Sequence, residues 1–129
     1  MAEELILIVE DNEKSRRLLR DILQVKGYQT IESDSAEEGI QLARQSLPAL
    51  VLMDMQLPGI NGMEARKQLK ADPITQHIPV VAVTASAMLH DRADIDNAGF
   101  DAFQSKPIDI KEILKLIRDL IDQHGNVID

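Results

Sequence analysis

Three carboxylates and two other polar groups fall where short apolar runs stop. Asp54 closes the run Leu50-Val51-Leu52-Met53, and Glu10 with Asp11 closes Leu5-Ile6-Leu7-Ile8-Val9. Both runs have the length and make-up of strands buried on both faces. A third run, Val80-Val81-Ala82-Val83, stops at Thr84, and a fourth candidate strand through Ala102-Phe103 stops at Lys106-Pro107. If these strands are neighbours in a parallel sheet, acids, hydroxyl and ammonium share one rim. Clustered carboxylates repel one another unless a cation compensates, and oxygen ligands in that number suit a hard divalent ion such as Mg²⁺ with waters and a phosphate. Such an ion would leave Asp54 as a carboxylate nucleophile able to form an acyl phosphate, with Lys106 as a second cation and Thr84 as a hydrogen-bond donor. The chemistry that suits this set is phosphoryl transfer.

Positioning those groups requires alternating strands and helices, which the rest of the chain supplies. A helix is expected from about Glu13 to Lys26, with Leu18, Leu19, Ile22 and Leu23 on one face and Gly27 at a left-handed cap. Tyr28 to Ser33 reads as the second strand. Ser35 with Glu38 forms a capping box that opens a helix with Ala36, Ile40 and Ala43 inward and Pro48 beyond its end. After the third strand, the turn-rich Leu57-Pro58-Gly59-Ile60-Asn61-Gly62 leads to a helix from about Met63 to Lys70, stopping before Pro73. A fourth helix is expected from about Ser86 to Asn97. After the fifth strand, Asp109 with Glu112 opens a last helix whose apolar positions are Ile110, Ile113, Leu114, Ile117, Leu120 and Ile121.

Five such units predict an α/β fold: an open, doubly wound, five-stranded parallel sheet with helices on both faces, (βα)5 in form. In the shorter of the two common strand orders, 2-1-3-4-5, the winding reverses between strands one and three, where ligands bind. Glu10 and Asp11 flank that point on one side and Asp54 on the other. Each residue alone has a plainer reading. Glu10-Asp11-Asn12 could cap the first helix, Asp54 could form a turn, Thr84 could be an N-cap, and Lys106 could be solvated. Their coincidence on one edge favours a site.

Composition narrows the classes. With 129 residues the chain fits one domain, 1–129, with a core of about 4–123. A formal charge of -8 and 2% aromatic residues argue against nucleic acid as partner. No cysteine is present, which excludes disulfides and fits a reducing, cytoplasmic setting. No apolar run is long enough for a membrane span, and the start lacks a basic signal region. His77, His90 and His124 lack metal-ligand spacing.

The chain resembles the receiver domains of two-component response regulators, the CheY-like fold. Four segments carry the resemblance: Ile8-Val9-Glu10-Asp11-Asn12; Leu52 through Gly59 with Gly62; Ile78 through Ala85; and Ser105-Lys106-Pro107-Ile108. Within the family the likeness is nearest to DivK-type single-domain regulators and to the receivers of hybrid histidine kinases. The resemblance implies Asp54 as phosphoacceptor, Glu10 and Asp11 as the acidic pocket, and Mg²⁺ held by Asp11, Asp54 and the backbone carbonyl of Gln56. It assigns Thr84 and Lys106 to the phosphoryl group, Phe103 to the aromatic switch position that often holds Tyr, and a cis bond to Lys106-Pro107. It further implies a signalling module rather than an enzyme with a separate substrate. Its donor would be a histidine kinase or histidine phosphotransfer protein, and its downstream protein target would meet the face of the fourth helix, fifth strand and fifth helix. With only 122–129 after Leu120-Ile121, no output domain is expected.

Other classes fit less well. An FMN carrier of the same strand order needs a Ser, Thr and Gly loop after strand one, where Glu10-Asp11 would repel phosphate. A haloacid-dehalogenase-type phosphatase has a second acid two residues after its nucleophile, and Asp54-Met55-Gln56 has none. A receiver that only docks, without phosphorylation, would not need the full set of polar groups.

Overall fold

A computed structural model describes residues 4–55, 62–84, 102–105 and 109–127. The expected helix over 86–97, Gln56 and Lys106-Pro107 lie outside the described residues. The strands are β1 (Leu5–Val9), β2 (Gln29–Ser33), β3 (Leu50–Asp54), β4 (Val80–Thr84) and β5 (Ala102–Ser105). The helices are α1 (Glu13–Val25), α2 (Ala36–Ser46), α3 (Gly62–Ala71) and a last helix, Ile110–Val127. All strand pairs are parallel, in the order β2-β1-β3-β4-β5. The winding therefore reverses between β1 and β3.

Alternation along each strand sorts the core into two layers, because successive side chains point to opposite faces. Ile6, Ile8, Leu50, Leu52, Val81 and Val83 pack with Leu19 and Leu23 of α1 and with Ile113, Ile117, Leu120 and Ile121 of the last helix. Leu7, Val9, Val51, Met53 and Val80 pack on the other face with Ala36 and Ala43 of α2 and Ala65 and Leu69 of α3. Small residues let α2 lie close to the sheet. A Cβ built on Gly39 would stand 2.7 Å from Val9 Cγ2.

The helix ends follow local chemistry. Asn12 Oδ1 accepts from the Ser15 N–H at 3.0 Å and caps α1. Past its end Gly27 takes φ 92°, the left-handed conformation glycine adopts without steric cost. Ser35 Oγ accepts from the Glu38 N–H at 3.3 Å, and Asp109 Oδ1 accepts from the Glu112 N–H at 3.0 Å. Helix α2 closes on Leu47 at φ 48°, just before Pro48, which cannot continue a helix.

Two expected inward faces are narrower than their apolar patterns. On α1, Leu19 and Leu23 are buried while Leu18 is 44% exposed. One residue along a helix is a rotation of about 100°, which carries Leu18 off the seam that its neighbour occupies. Ile110, in the first turn of the last helix, is likewise exposed and stands apart from the core cluster that begins at Ile113. The second strand starts at Gln29 rather than Tyr28, a difference of one residue at a frayed end.

Candidate functional site

The register of β1 on β3 builds the site. Val9 pairs with Met53, so the next residues, Glu10 and Asp54, leave the sheet at adjacent positions. The sheet keeps its hold just beyond the strands: the Glu10 N–H donates to the Ser33 carbonyl at 3.0 Å, and the Met55 N–H donates to the Val83 carbonyl at 2.9 Å. Carboxylate oxygens of Glu10, Asp11 and Asp54 all lie within 4.8 Å of one another. Glu10 and Asp54 are buried, at 1% and 3% exposure, whereas Asp11 is open to solvent.

Capping does not account for this cluster, because Asn12 performs that task. Glu10 instead turns inward, and its Oε2 accepts the Asn12 N–H at 3.1 Å. The three groups are oxygen ligands without a nitrogen or sulfur among them, which fits Mg²⁺ or a similar hard cation. The three carboxylates would hold such an ion, which would offset their mutual repulsion, with water completing its shell.

Among the described residues, Thr84 continues along the same rim. Thr84 is the last residue of β4, one position beyond Val83, the register partner of Asp54. Thr84 pairs with Ser105, the residue before Lys106 in the sequence. Phe103 lies in β5 opposite Ala82. The rim thus runs from Glu10 and Asp11 through Asp54 to Thr84 and Ser105.

Sequence reasoning passed over Arg16. Its Nη1 donates to the Glu10 carbonyl at 2.9 Å, and its Nε lies 3.3 Å from Glu32 Oε1. An open cleft of about 410 Å³ borders it, lined by Arg16, Glu32, Ser33, Asp34 and Glu38. The available signal was a cation one turn inside α1, where helix position alone would favour an acid.

An α/β sheet that gathers three carboxylates at its switch point suits a phosphoacceptor-type signalling domain, and the comparisons show the family. The chain belongs to the response regulator receiver domain family, whose model matches residues 6–118. It is 45% identical over 113 residues to the polar-differentiation response regulator DivK of Brucella ovis, covering 88% of this chain and 92% of that protein. The DivK of Brucella anthropi is 44% identical over the same span. Among solved structures, a CheY-like receiver domain protein from Methanospirillum hungatei superimposes with a TM-score of 0.88 at 26% identity, covering 97% of this chain and 98% of that one. The receiver domain of a sensor histidine kinase from Pseudomonas aeruginosa, solved with a magnesium ion in its active-site cleft, gives 0.87 at 26% identity, covering 94% and 99%. This chain is therefore a DivK-like receiver, a signalling protein with an acidic pocket suited to aspartate phosphorylation, and its family implies a histidine kinase as partner. Among the described residues, no helix is long and apolar enough to cross a membrane.

Proposed function

We propose that Asp54 is the phosphoacceptor of a two-component relay and that Glu10, Asp11, Asp54 and the Gln56 carbonyl hold Mg²⁺. The convergence of the three carboxylates at the β1–β3 switch point carries this reading. Bound there, Mg²⁺ would offset the charge of the acids and of the phosphoryl oxygens. An Asp54 carboxylate oxygen attacks the phosphorus of a phosphohistidine. A P–O bond forms as the P–N bond breaks, and the electron pair returns to the imidazole nitrogen of the donor. Asp54 itself is 3% exposed, which limits water at the reacting atom. Thr84 donates to the phosphoryl group and Lys106 pairs with it. Phe103 follows Thr84 as the conformational readout.

The donor in this reading is a histidine kinase or a histidine phosphotransfer protein, and the setting is the cytoplasm. Residues from about 4 to 123 act as one receiver unit, supported by a single sheet with core on both faces. The downstream protein target meets the face that includes β5 and the last helix. Incubation with a small acyl-phosphate donor, with and without Mg²⁺, followed by intact-mass spectrometry, tests the proposal. A single phosphoryl adduct that requires Mg²⁺ and is absent from Asp54→Asn is expected. An adduct that persists in Asp54→Asn would overturn it.

A further inference from the structure

Three successive peptide planes at the acidic pocket are tethered, each by a different partner. The Val9–Glu10 plane is held through its N–H by the Ser33 carbonyl, and the Asp11–Asn12 plane through its N–H by Glu10 Oε2 at 3.1 Å. The plane between them is held through the Glu10 carbonyl by Arg16 Nη1 at 2.9 Å. A peptide unit is rigid, so fixing the carbonyl of one residue fixes the direction in which the next departs. That next residue is Asp11, the exposed member of the acid cluster, which has no backbone bond to the sheet among the described residues.

Arg16 is itself braced. Its Nε lies 3.3 Å from Glu32 Oε1, and Glu32 Oε2 lies 3.6 Å from Arg20 Nη1. Both side chains of the Arg16–Glu32 pair are mostly shielded, at 21% and 26% exposure. Glu32 is next in sequence to Ser33, whose carbonyl holds the first plane, so the brace and the first tether come from the same end of β2. A guanidinium can serve both partners at once because its donors form a rigid planar fork.

We infer that Arg16, braced by Glu32, is a positioning residue that sets the Glu10–Asp11 peptide and thereby the aim of the Asp11 carboxylate at the cation. The inference rests on the reading of the pocket as a Mg²⁺ site. Partners outside the coordination shell that orient ligands typically change metal affinity by about 10–100-fold.

The test is calorimetric titration of Mg²⁺ into the full chain, unphosphorylated, for wild type, Arg16→Ala, Arg16→Lys and Glu32→Gln, with thermal melts of each without metal. Arg16→Ala should weaken Mg²⁺ binding about tenfold. Arg16→Lys, which keeps one donor but not the fork, should recover part of the loss, and Glu32→Gln should fall between Arg16→Ala and wild type. A purely structural role would lower the melting temperature of Arg16→Ala and leave its Mg²⁺ affinity at the wild-type value well below the melt, which overturns the inference while leaving the pocket intact. Wild type that binds no Mg²⁺ would overturn the pocket reading itself, and this inference with it.

Discussion

Val9 and Met53 are register partners across β1 and β3, and each is followed directly by an acid. That single pairing puts Glu10 and Asp54 side by side at the exit of the sheet. A slip of one residue would point one of them into the opposite core layer, since side chains alternate along a strand. The two buried core layers on either face therefore lock the geometry of the pocket as well as the fold.

Asp11 contributes charge that the fold alone does not need. Three carboxylates within 4.8 Å repel one another when no cation is bound. Asp11→Asn should raise the metal-free stability by about 0.5–1 kcal/mol, which for a domain of this size is about 3 °C in the melting temperature. The same change should weaken Mg²⁺ binding by at least about tenfold, because it removes a ligand rather than a supporting partner. Thermal melts across a Mg²⁺ series check both signs. Wild type should gain about 1.4 kcal/mol at ten times its dissociation constant, and Asp11→Asn should gain far less at that concentration.

Gly39 measures how closely α2 approaches the sheet. Alanine normally favours a helix over glycine by about 1 kcal/mol, but its Cβ would stand 2.7 Å from Val9 Cγ2, and Val9 is buried and β-branched. Overpacking typically costs about 1–3 kcal/mol and should win, so Gly39→Ala is expected to be destabilising. Urea denaturation of Gly39→Ala, Val9→Ala and the double variant gives the coupling. A double variant more stable than the sum of the two single changes supports the contact; strict additivity contradicts it.

At the opposite end of the sheet, Arg118 joins the last helix to the start of β1. Its Nη2 donates to Glu4 Oε2 at 3.1 Å, its Nη1 lies 3.4 Å from the Tyr28 hydroxyl, and its guanidinium sits 5.9 Å from the centre of that ring. Burial pushes the Glu4 carboxyl up, but a backbone hydrogen bond and the Arg118 guanidinium outweigh it and hold Glu4 below its ordinary 4.5. A carboxyl lowered in the folded state stabilises above its unfolded value and loses that contribution as pH falls through the lower, folded one. Glu4→Gln should therefore cost about 1 kcal/mol near neutral pH, with the gap to wild type closing below about pH 4.5. Denaturant midpoints at a series of pH values check it, and a gap that stays constant down to strongly acidic pH would contradict it.

How far the sequence foretells these features depends on how local their causes are. Strand exits were legible because apolar runs end abruptly at Asp54 and at Glu10, and helix ends because Gly27, Ser35 and Asp109 act through bonds a few residues away. The meeting of the three acids required a rule about strand order, which the sheet follows. Asn12 as the α1 cap left Asp11 for the pocket, a division that the triplet Glu10-Asp11-Asn12 does not reveal by itself. Arg16 was passed over because its partners, the Glu10 carbonyl and Glu32, come from a backbone atom and a distant strand. Leu18 and Ile110 show the limit of periodicity: a pattern marks which residues can be buried, and neighbouring layers decide which are.

The most direct measurement identifies the phosphorylated atom. The protein is phosphorylated from a small acyl-phosphate donor in Mg²⁺, reduced with borohydride, digested and sequenced by tandem mass spectrometry. Reduction converts an aspartyl phosphate to homoserine and leaves unmodified carboxylates alone. Homoserine at position 54 alone is the expected result. Homoserine at Asp11, or a phosphoryl group on a hydroxyl that resists reduction, would contradict the assignment of Asp54 as the phosphoacceptor.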